Sequence, residues 1–180
     1  MIYPKLFIPG PTHVDDVTLQ AMAQPQVGHR TAEYSELQSA VVSGLQKLLV
    51  TEGRVFLFSN PATGVWEAAV RNTVKKGAVN MVNGAFSAKW HTVTRACGLP
   101  CEAVNVEWGS AIKPDDVDRA LASGRYDVVT LVHNETSTGV LSPVRKIAAM
   151  VRQKYPDVLL HVDAVSSMAG VEIRFDEWGL

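Results

Sequence analysis

The 180-residue sequence predicts an α/β fold, a three-layer sandwich in which helices cover both faces of a mainly parallel sheet. The first observation behind this prediction is a regular alternation of short β-branched runs with longer amphipathic segments. The second is the length of the amphipathic segments, which is sufficient for crossover helices between parallel strands. The third is that the sequence shows no internal repeat of the kind that marks a solenoid.

The predicted elements alternate in order along the chain. A helix over 33–49 carries apolar or small residues at helical spacing, among them Leu37, Val41 and Leu48. The apolar run 55–58 predicts the first strand. The remaining elements are a helix over 64–74, strands over 79–82, 102–106, 128–133 and 158–162, and helices over 85–97, 114–124 and 143–155.

Composition limits the class of partner. The chain has 17 basic and 18 acidic residues, which gives no basic footprint for nucleic acid or an anionic membrane surface. Prolines and a lysine interrupt the apolar start of the sequence, and no run approaches the ~18 apolar residues of a membrane span. Cys97 and Cys101 are too few for a disulfide framework or a thiolate metal site. We therefore expect a cytoplasmic protein that binds a small molecule and no metal.

Candidate functional residues follow the predicted strands, because ligands of parallel α/β sheets bind beyond the carboxyl ends of the strands. The first such segment is Ser59-Asn60-Pro61-Ala62-Thr63-Gly64, at the start of a helix. Its last amides and the Thr63 hydroxyl are suited to a phosphate group, since a helix N-terminus carries partial positive charge. The segment lacks the Walker and dinucleotide fingerprints, which argues against a nucleoside triphosphate or NAD. The alternative is that Thr63 only caps the helix.

Three further candidates follow later strands. Asp163 ends the apolar run 158–162, where a carboxylate needs a positive partner such as a protonated pyridine nitrogen; the alternative is a salt bridge or a helix cap. In the polar segment 133–139, the Thr136 hydroxyl is suited to a phenolic oxygen, unless the segment is only a well-capped turn. Phe86 either stacks on a flat ring or belongs to the core.

Taken together, these segments resemble the class V aminotransferases, enzymes of fold type I that use pyridoxal 5'-phosphate. Within that family the sequence is most similar to the alanine-glyoxylate and serine-glyoxylate (serine-pyruvate) branch. The matching stretches span nearly the whole chain: PGPT at 9–12, GHR at 28–30, TGVWEAA at 63–69, NGAF at 83–86, VHNETSTGV at 132–140, VDAVSSM at 162–168 and DEWG at 176–179.

The resemblance implies a role for each matching residue. Residues 1–30 would form an N-terminal segment with a substrate-side loop that includes Gly10 and Pro11, and 31–180 would form the front part of the large, cofactor-binding domain. The resemblance assigns Ala62, Thr63 and Gly64 to the cofactor phosphate, Phe86 and Val165 to opposite faces of the ring, Thr136 to the ring hydroxyl and Asp163 to the pyridine nitrogen. One departure from the family is that Ser59-Asn60-Pro61-Ala62 replaces a glycine-rich run, and proline removes a donor.

A larger departure concerns the catalytic lysine. In the family, the Schiff-base lysine lies shortly after the Trp-Gly motif, whereas this sequence stops at Leu180 and none of its lysines matches that position. No catalytic residue is therefore assigned. We expect an incomplete large domain, without the C-terminal small domain and inactive by itself.

For the full-length parent, the resemblance implies a homodimer that transfers an amino group between alanine or serine and glyoxylate or pyruvate. Two alternatives stay open. One is a cysteine desulfurase-like lyase of the same superfamily, although such lyases usually have a histidine where this sequence has Phe86. The other is a non-catalytic remnant that acts as a binding or regulatory protein, against which the retention of Thr63, Thr136 and Asp163 argues.

Overall fold

The computed structural model describes residues 4–180. The chain divides into two compact units, the first ending at Leu45 and the second beginning at Gln46. The elements in chain order are α1 (Asp16–Met22), α2 (Ala32–Leu49), α3 (Ala62–Thr73), β1 (Ala78–Val82), α4 (Ala85–Ala96), β2 (Cys101–Asn105), α5 (Pro114–Leu121), β3 (Val128–Val132), β4 (Asn134–Glu135), β5 (Val140–Leu141), α6 (Val144–Lys154), β6 (Leu159–Asp163) and α7 (Phe175–Trp178).

The first unit contains α1 and most of α2. The carboxylate of Asp15 caps α1, because its Oδ1 accepts the Thr18 amide at 2.8 Å. The hydroxyl of Thr31 accepts the Tyr34 amide at 3.3 Å at the start of α2. The predicted helix over 33–49 is confirmed within one residue, whereas α1 was not predicted.

The second unit is built on a parallel sheet with the strand order β2-β1-β3-β6. Helix α4 connects β1 to β2, α5 connects β2 to β3, and α6 connects β3 to β6. The predicted α/β architecture with a mainly parallel sheet is confirmed. The connection that leaves β1 runs to β2 on one side, and the connection that leaves β3 runs to β6 on the other side. The two connections therefore diverge between the carboxyl ends of β1 and β3, which is where such sheets bind ligands.

Two apolar cores confirm the three-layer arrangement. One core lies between the sheet and the helices α5 and α6, and includes Met81, Leu131 and Ile147. The other lies on the opposite face, beneath α3 and α4, and includes Val70 and Val128. Every residue of β1 and β3 is buried, as expected for central strands covered on both faces. Among the described helices, none has the length and apolarity needed to cross a bilayer.

The predicted strand over 55–58 is wrong. No strand of the described residues pairs with this segment, and Phe56 and Phe58 are 71% and 55% exposed. The segment has the apolar composition of a buried strand, but a strand also requires a neighbour with which its backbone can form hydrogen bonds. Composition therefore indicated a strand where the described chain supplies no partner.

Replacing Ile147, which is fully buried on α6, by alanine should lower the free energy of unfolding by about 2–5 kcal/mol, because the lost methyl groups leave a cavity. Its neighbour Lys146 is exposed, and Lys146→Ala should change the same quantity by less than about 0.5 kcal/mol. Urea unfolding gives the free energy of unfolding of both variants. Equal effects would contradict the position of Ile147 in the core.

Candidate functional site

Three loops meet at the carboxyl edge of the sheet, those that follow β1, β3 and β6. In β4, directly after β3, Glu135 accepts hydrogen bonds from the amides of Phe86 and Ser87 at the start of α4. The next residue, Thr136, donates to Ser166 Oγ in the loop after β6 at 2.8 Å. The structure therefore brings together the segments of Phe86, Thr136 and Asp163, which the sequence placed on different strands.

The start of α3 leaves backbone donors available. The helix begins at Ala62 after Pro61, whose side chain cannot accept a hydrogen bond. Within residues 4–180, the amides of Ala62 and Thr63 have no acceptor, and that of Gly64 bonds Pro61 O at 2.9 Å. The alternative that Thr63 caps the helix is wrong, because Thr63 is the second residue inside it. A Cβ on Gly64 would lie 2.6 Å from Asn60 Nδ2, so this side chain folds over the glycine.

The start of α4, in contrast, has no free donor. The amide of Ala85 donates to Ser137 Oγ at 2.9 Å, and the amides of Phe86 and Ser87 donate to the two oxygens of Glu135 at 3.2 and 2.9 Å. The two preceding amides both donate to Ser87 Oγ at 3.1 Å. An anion at this edge of the sheet is therefore better accommodated at the start of α3 than at the start of α4.

Asp163 is a buried carboxylate, 8% exposed, at the end of β6. Its Oδ1 accepts the Val165 amide at 2.8 Å. Burial raises the pKa of Asp163, the Val165 amide and the Trp66 indole lower it, and the Glu135 carboxylate raises it again, with a net upward shift. The described residues provide no salt bridge to Asp163, so this alternative is wrong for them. A protonated nitrogen of a bound ring would supply the missing positive charge.

Phe86 and Val165 present apolar surface near these polar groups. Phe86 is 42% exposed, so the alternative that it is a core aromatic is wrong, and Val165 is 70% exposed. Thr136 is half-buried. The positions of these three side chains agree with the roles predicted for them, which stay predictions.

Gly10 and Pro11 belong to the first unit and precede, in the sequence, the segments described above. Both are exposed, and the peptide bond between them is cis. Their substrate-binding role stays a prediction.

An aromatic stack for which the sequence predicted no role lies beneath this edge. The rings of Trp66 and Trp90 stack with their centroids 5.4 Å apart, and the rings of Trp90 and His161 stack with their centroids 6.5 Å apart. His161 and Asp163 are two apart on β6, so they point to the same face of the sheet. The stack therefore lies on the face to which Asp163 points, and its Trp66 indole lowers the pKa of Asp163 through a hydrogen bond. Burial also lowers the pKa of His161, which favours its neutral form.

A second missed residue is Glu135, which is 0% exposed. It belongs to the polar segment 133–139, in which the sequence pointed to Thr136 instead. The signal that could have found it is a carboxylate directly after a buried strand, because such a group must be matched by several donors. Three of its five hydrogen bonds come from Phe86 and Ser87, in a different motif that sequence spacing did not connect to it.

Comparisons with known proteins agree on one family. A sequence profile described as aminotransferase class V matches residues 20–180. An uncharacterized aminotransferase of Methanocaldococcus jannaschii is 37% identical over 96% of this chain and 45% of its own length. The serine-glyoxylate aminotransferase of Hyphomicrobium methylovorum is 36% identical over 99% of this chain and 46% of its own length.

Solved structures lead to the same family. The crystal structure of an alanine-glyoxylate aminotransferase from Nostoc sp. matches with a TM-score of 0.91 and 29% identity, over 100% of this chain and 48% of that one. The chain thus spans about half the length of the relatives it matches.

Asp163→Asn should stabilise the protein in the absence of ligand. Because the pKa of Asp163 is raised in the folded state, stability is lost as the pH rises above the ordinary value of 3.8, and asparagine removes this loss. Thermal unfolding should show a higher midpoint for the variant, with a larger gain at pH 7 than at pH 4. The matched variant Asp157→Asn, at an exposed position, should show little change. A lower midpoint for Asp163→Asn at pH 7 would contradict this account.

Proposed function

The chain belongs to the class V aminotransferases, and on this basis we propose that the whole protein transfers an amino group between a small amino acid and a 2-oxo acid. Class V aminotransferases depend on pyridoxal 5'-phosphate. We propose alanine or serine as the donor and glyoxylate or pyruvate as the acceptor, and the names of the serine-glyoxylate and alanine-glyoxylate relatives support this choice. The observation that carries the proposal is the buried carboxylate of Asp163 without a basic partner among the described residues.

We assign the cofactor phosphate to the start of α3. The amides of Ala62 and Thr63 and the Thr63 hydroxyl can donate to it, and the positive end of the helix favours the negative charge. The close approach of Asn60 to Gly64 leaves no room for a larger side chain at Gly64 without displacement. The filled donors of α4 support this assignment by exclusion.

We assign the cofactor ring to the space bordered by the loops after β1, β3 and β6. Asp163 would hold a proton on the ring nitrogen, because a buried carboxylate is stabilised by an adjacent positive charge. Phe86 and Val165 would cover the two faces of the ring and keep water from them, and the Thr136 hydroxyl would donate to the ring oxygen. When bound, pyridoxal phosphate supplies an electron sink for bond cleavage at the substrate α-carbon.

Other parts of the proposal concern the whole protein. We propose that residues 1–30 form an N-terminal segment whose loop at Gly10 and Pro11 faces the substrate, and that 31–180 form the front part of the large domain. The lysine that binds the cofactor would come from the remainder of the protein. We also propose that the whole protein is a cytoplasmic homodimer. Phenylalanine at position 86, rather than histidine, supports an aminotransferase over a desulfurase-like lyase.

Asp163→Ala should weaken the binding of pyridoxal phosphate to the whole protein by at least about tenfold, because hydrogen bonds to charged groups contribute about 1.5–3 kcal/mol. A titration followed by absorbance and fluorescence measures the dissociation constant. The matched variant Asp157→Ala, at an exposed position, should bind like the wild type. Binding that is indifferent to the substitution of Asp163 would contradict the assignment of the ring.

The whole protein should produce glycine from glyoxylate when alanine or serine is supplied, whereas the 180-residue chain alone should not, because none of its lysines lies at the family's position. Chromatographic analysis of the amino acids after incubation with pyridoxal phosphate tests both. Formation of alanine from cysteine by the whole protein, with sulfide released when a reducing thiol is added and without glycine formation, would favour the lyase instead.

A further inference from the structure

Glu135 has no part in the proposed chemistry, although it is fully buried at the edge of the candidate site. Its two oxygens accept five hydrogen bonds. Oε1 accepts the amides of Phe86 and Ser137 at 3.2 and 3.3 Å and the Ser137 hydroxyl at 2.7 Å. Oε2 accepts the amide and the hydroxyl of Ser87 at 2.9 and 2.8 Å. Oε1 thus bonds both its own loop and the start of α4, and Oε2 bonds the start of α4.

The packing around Glu135 shows how closely the two loops fit. A Cβ on Gly84 would lie 2.3 Å from Glu135 Cγ, 2.5 Å from Glu135 Cδ and 2.6 Å from Ser137 Oγ. The φ of Gly84 is 177°, an extended value that any residue adopts. Glycine is therefore required at this position by the approach of Glu135 and not by its backbone conformation. The NGAF and NETSTG motifs therefore pack closely against each other at this contact.

Charge strengthens the same contact. Burial raises the pKa of Glu135, whereas the hydrogen bonds from Ser137, Ser87 and Phe86 lower it. The lowering is the larger effect, so the net shift is downward. The side chain is therefore an anion at neutral pH, placed at the positive end of α4. A glutamine would keep the shape, yet its amide nitrogen cannot accept hydrogen bonds. Two or three donors would then lose their acceptor.

We propose that Glu135 is a positioning residue for the cofactor ring. By holding the first turn of α4 against the loop after β3, it fixes Phe86 relative to Thr136, which is its own neighbour in the chain. This inference rests on the proposed function, since Phe86 and Thr136 are assigned to the ring there. It adds a coupling between two motifs that lie 49 residues apart.

A double-mutant cycle on the whole protein tests the inference, with the dissociation constant of pyridoxal phosphate as the readout. Glu135→Gln should weaken binding by about tenfold or more in the wild type, and by about threefold or less when Phe86→Ala is already present, because the two residues act through one contact. Near-ultraviolet circular dichroism of the saturated cofactor should also change in Glu135→Gln. The matched variant Glu107→Gln, at an exposed position after β2, should change neither quantity.

The outcomes separate the two proposals. Equal weakening by Glu135→Gln with and without Phe86→Ala would indicate a general structural role and overturn the inference. Unchanged affinity and circular dichroism in Glu135→Gln would overturn it as well. A wild-type protein that binds no pyridoxal phosphate would instead contradict the proposed function on which the inference rests.

A second variant keeps the test decisive if Glu135→Gln does not fold. Ser137→Ala removes one donor to Glu135 and the acceptor of the Ala85 amide while leaving the carboxylate in place. It should weaken cofactor binding by a smaller factor, and that factor should also shrink in the Phe86→Ala background. Full additivity with Phe86→Ala would overturn the inference.

Discussion

The parallel pairing of β1 with β3 is the interaction on which the candidate site depends. These two strands are buried on both faces, and apart from Asn80 and Thr130, which bond each other at 2.7 Å, their residues are apolar. The exposed polar groups at this edge therefore lie in the loops at the carboxyl ends of the strands. The chain leaves β1 towards β2 and leaves β3 towards β6, in opposite directions. These two connections leave a space between them at one edge of the sheet, and the loop after β6 also borders this space.

Backbone hydrogen bonding then distinguishes the two helices that begin at this edge. Both α3 and α4 start with amides that have no partner inside the helix. At α4, the side chains of Ser87, Glu135 and Ser137 accept these hydrogen bonds, so the helix start serves to hold the loops together. At α3, proline at the cap position leaves the amides of Ala62 and Thr63 without an acceptor among the described residues. One edge thus combines a helix start whose amides are bonded to side chains with a helix start whose first two amides are not.

The carboxylate of Asp163, in contrast, lacks a charged partner among the described residues. Its carboxylate is buried above the stack of Trp66, Trp90 and His161, with a raised pKa and without a basic partner among the described residues. Such a group opposes folding at neutral pH, and an adjacent positive charge would compensate this cost. Glu135 has the same charge and is compensated by the protein itself. The pKa values of two buried carboxylates at one edge therefore shift in opposite directions because the two groups differ in their hydrogen-bond donors.

The sequence by itself determined the α/β fold class, the alternation of the four strands of the sheet with their crossover helices, and the places where polar residues follow these strands, because these depend on spacing within a few residues. It also determined that Asp163 would end an apolar strand. Only the tertiary structure decided that 55–58 has no strand partner, that Thr63 does not cap α3, and that the amides of α4 are filled. Each of these depends on which distant segments meet, as the contact between Glu135 and Phe86 across 49 residues illustrates. A local pattern specifies what a side chain can bind, whereas the fold decides which of its partners are already in place.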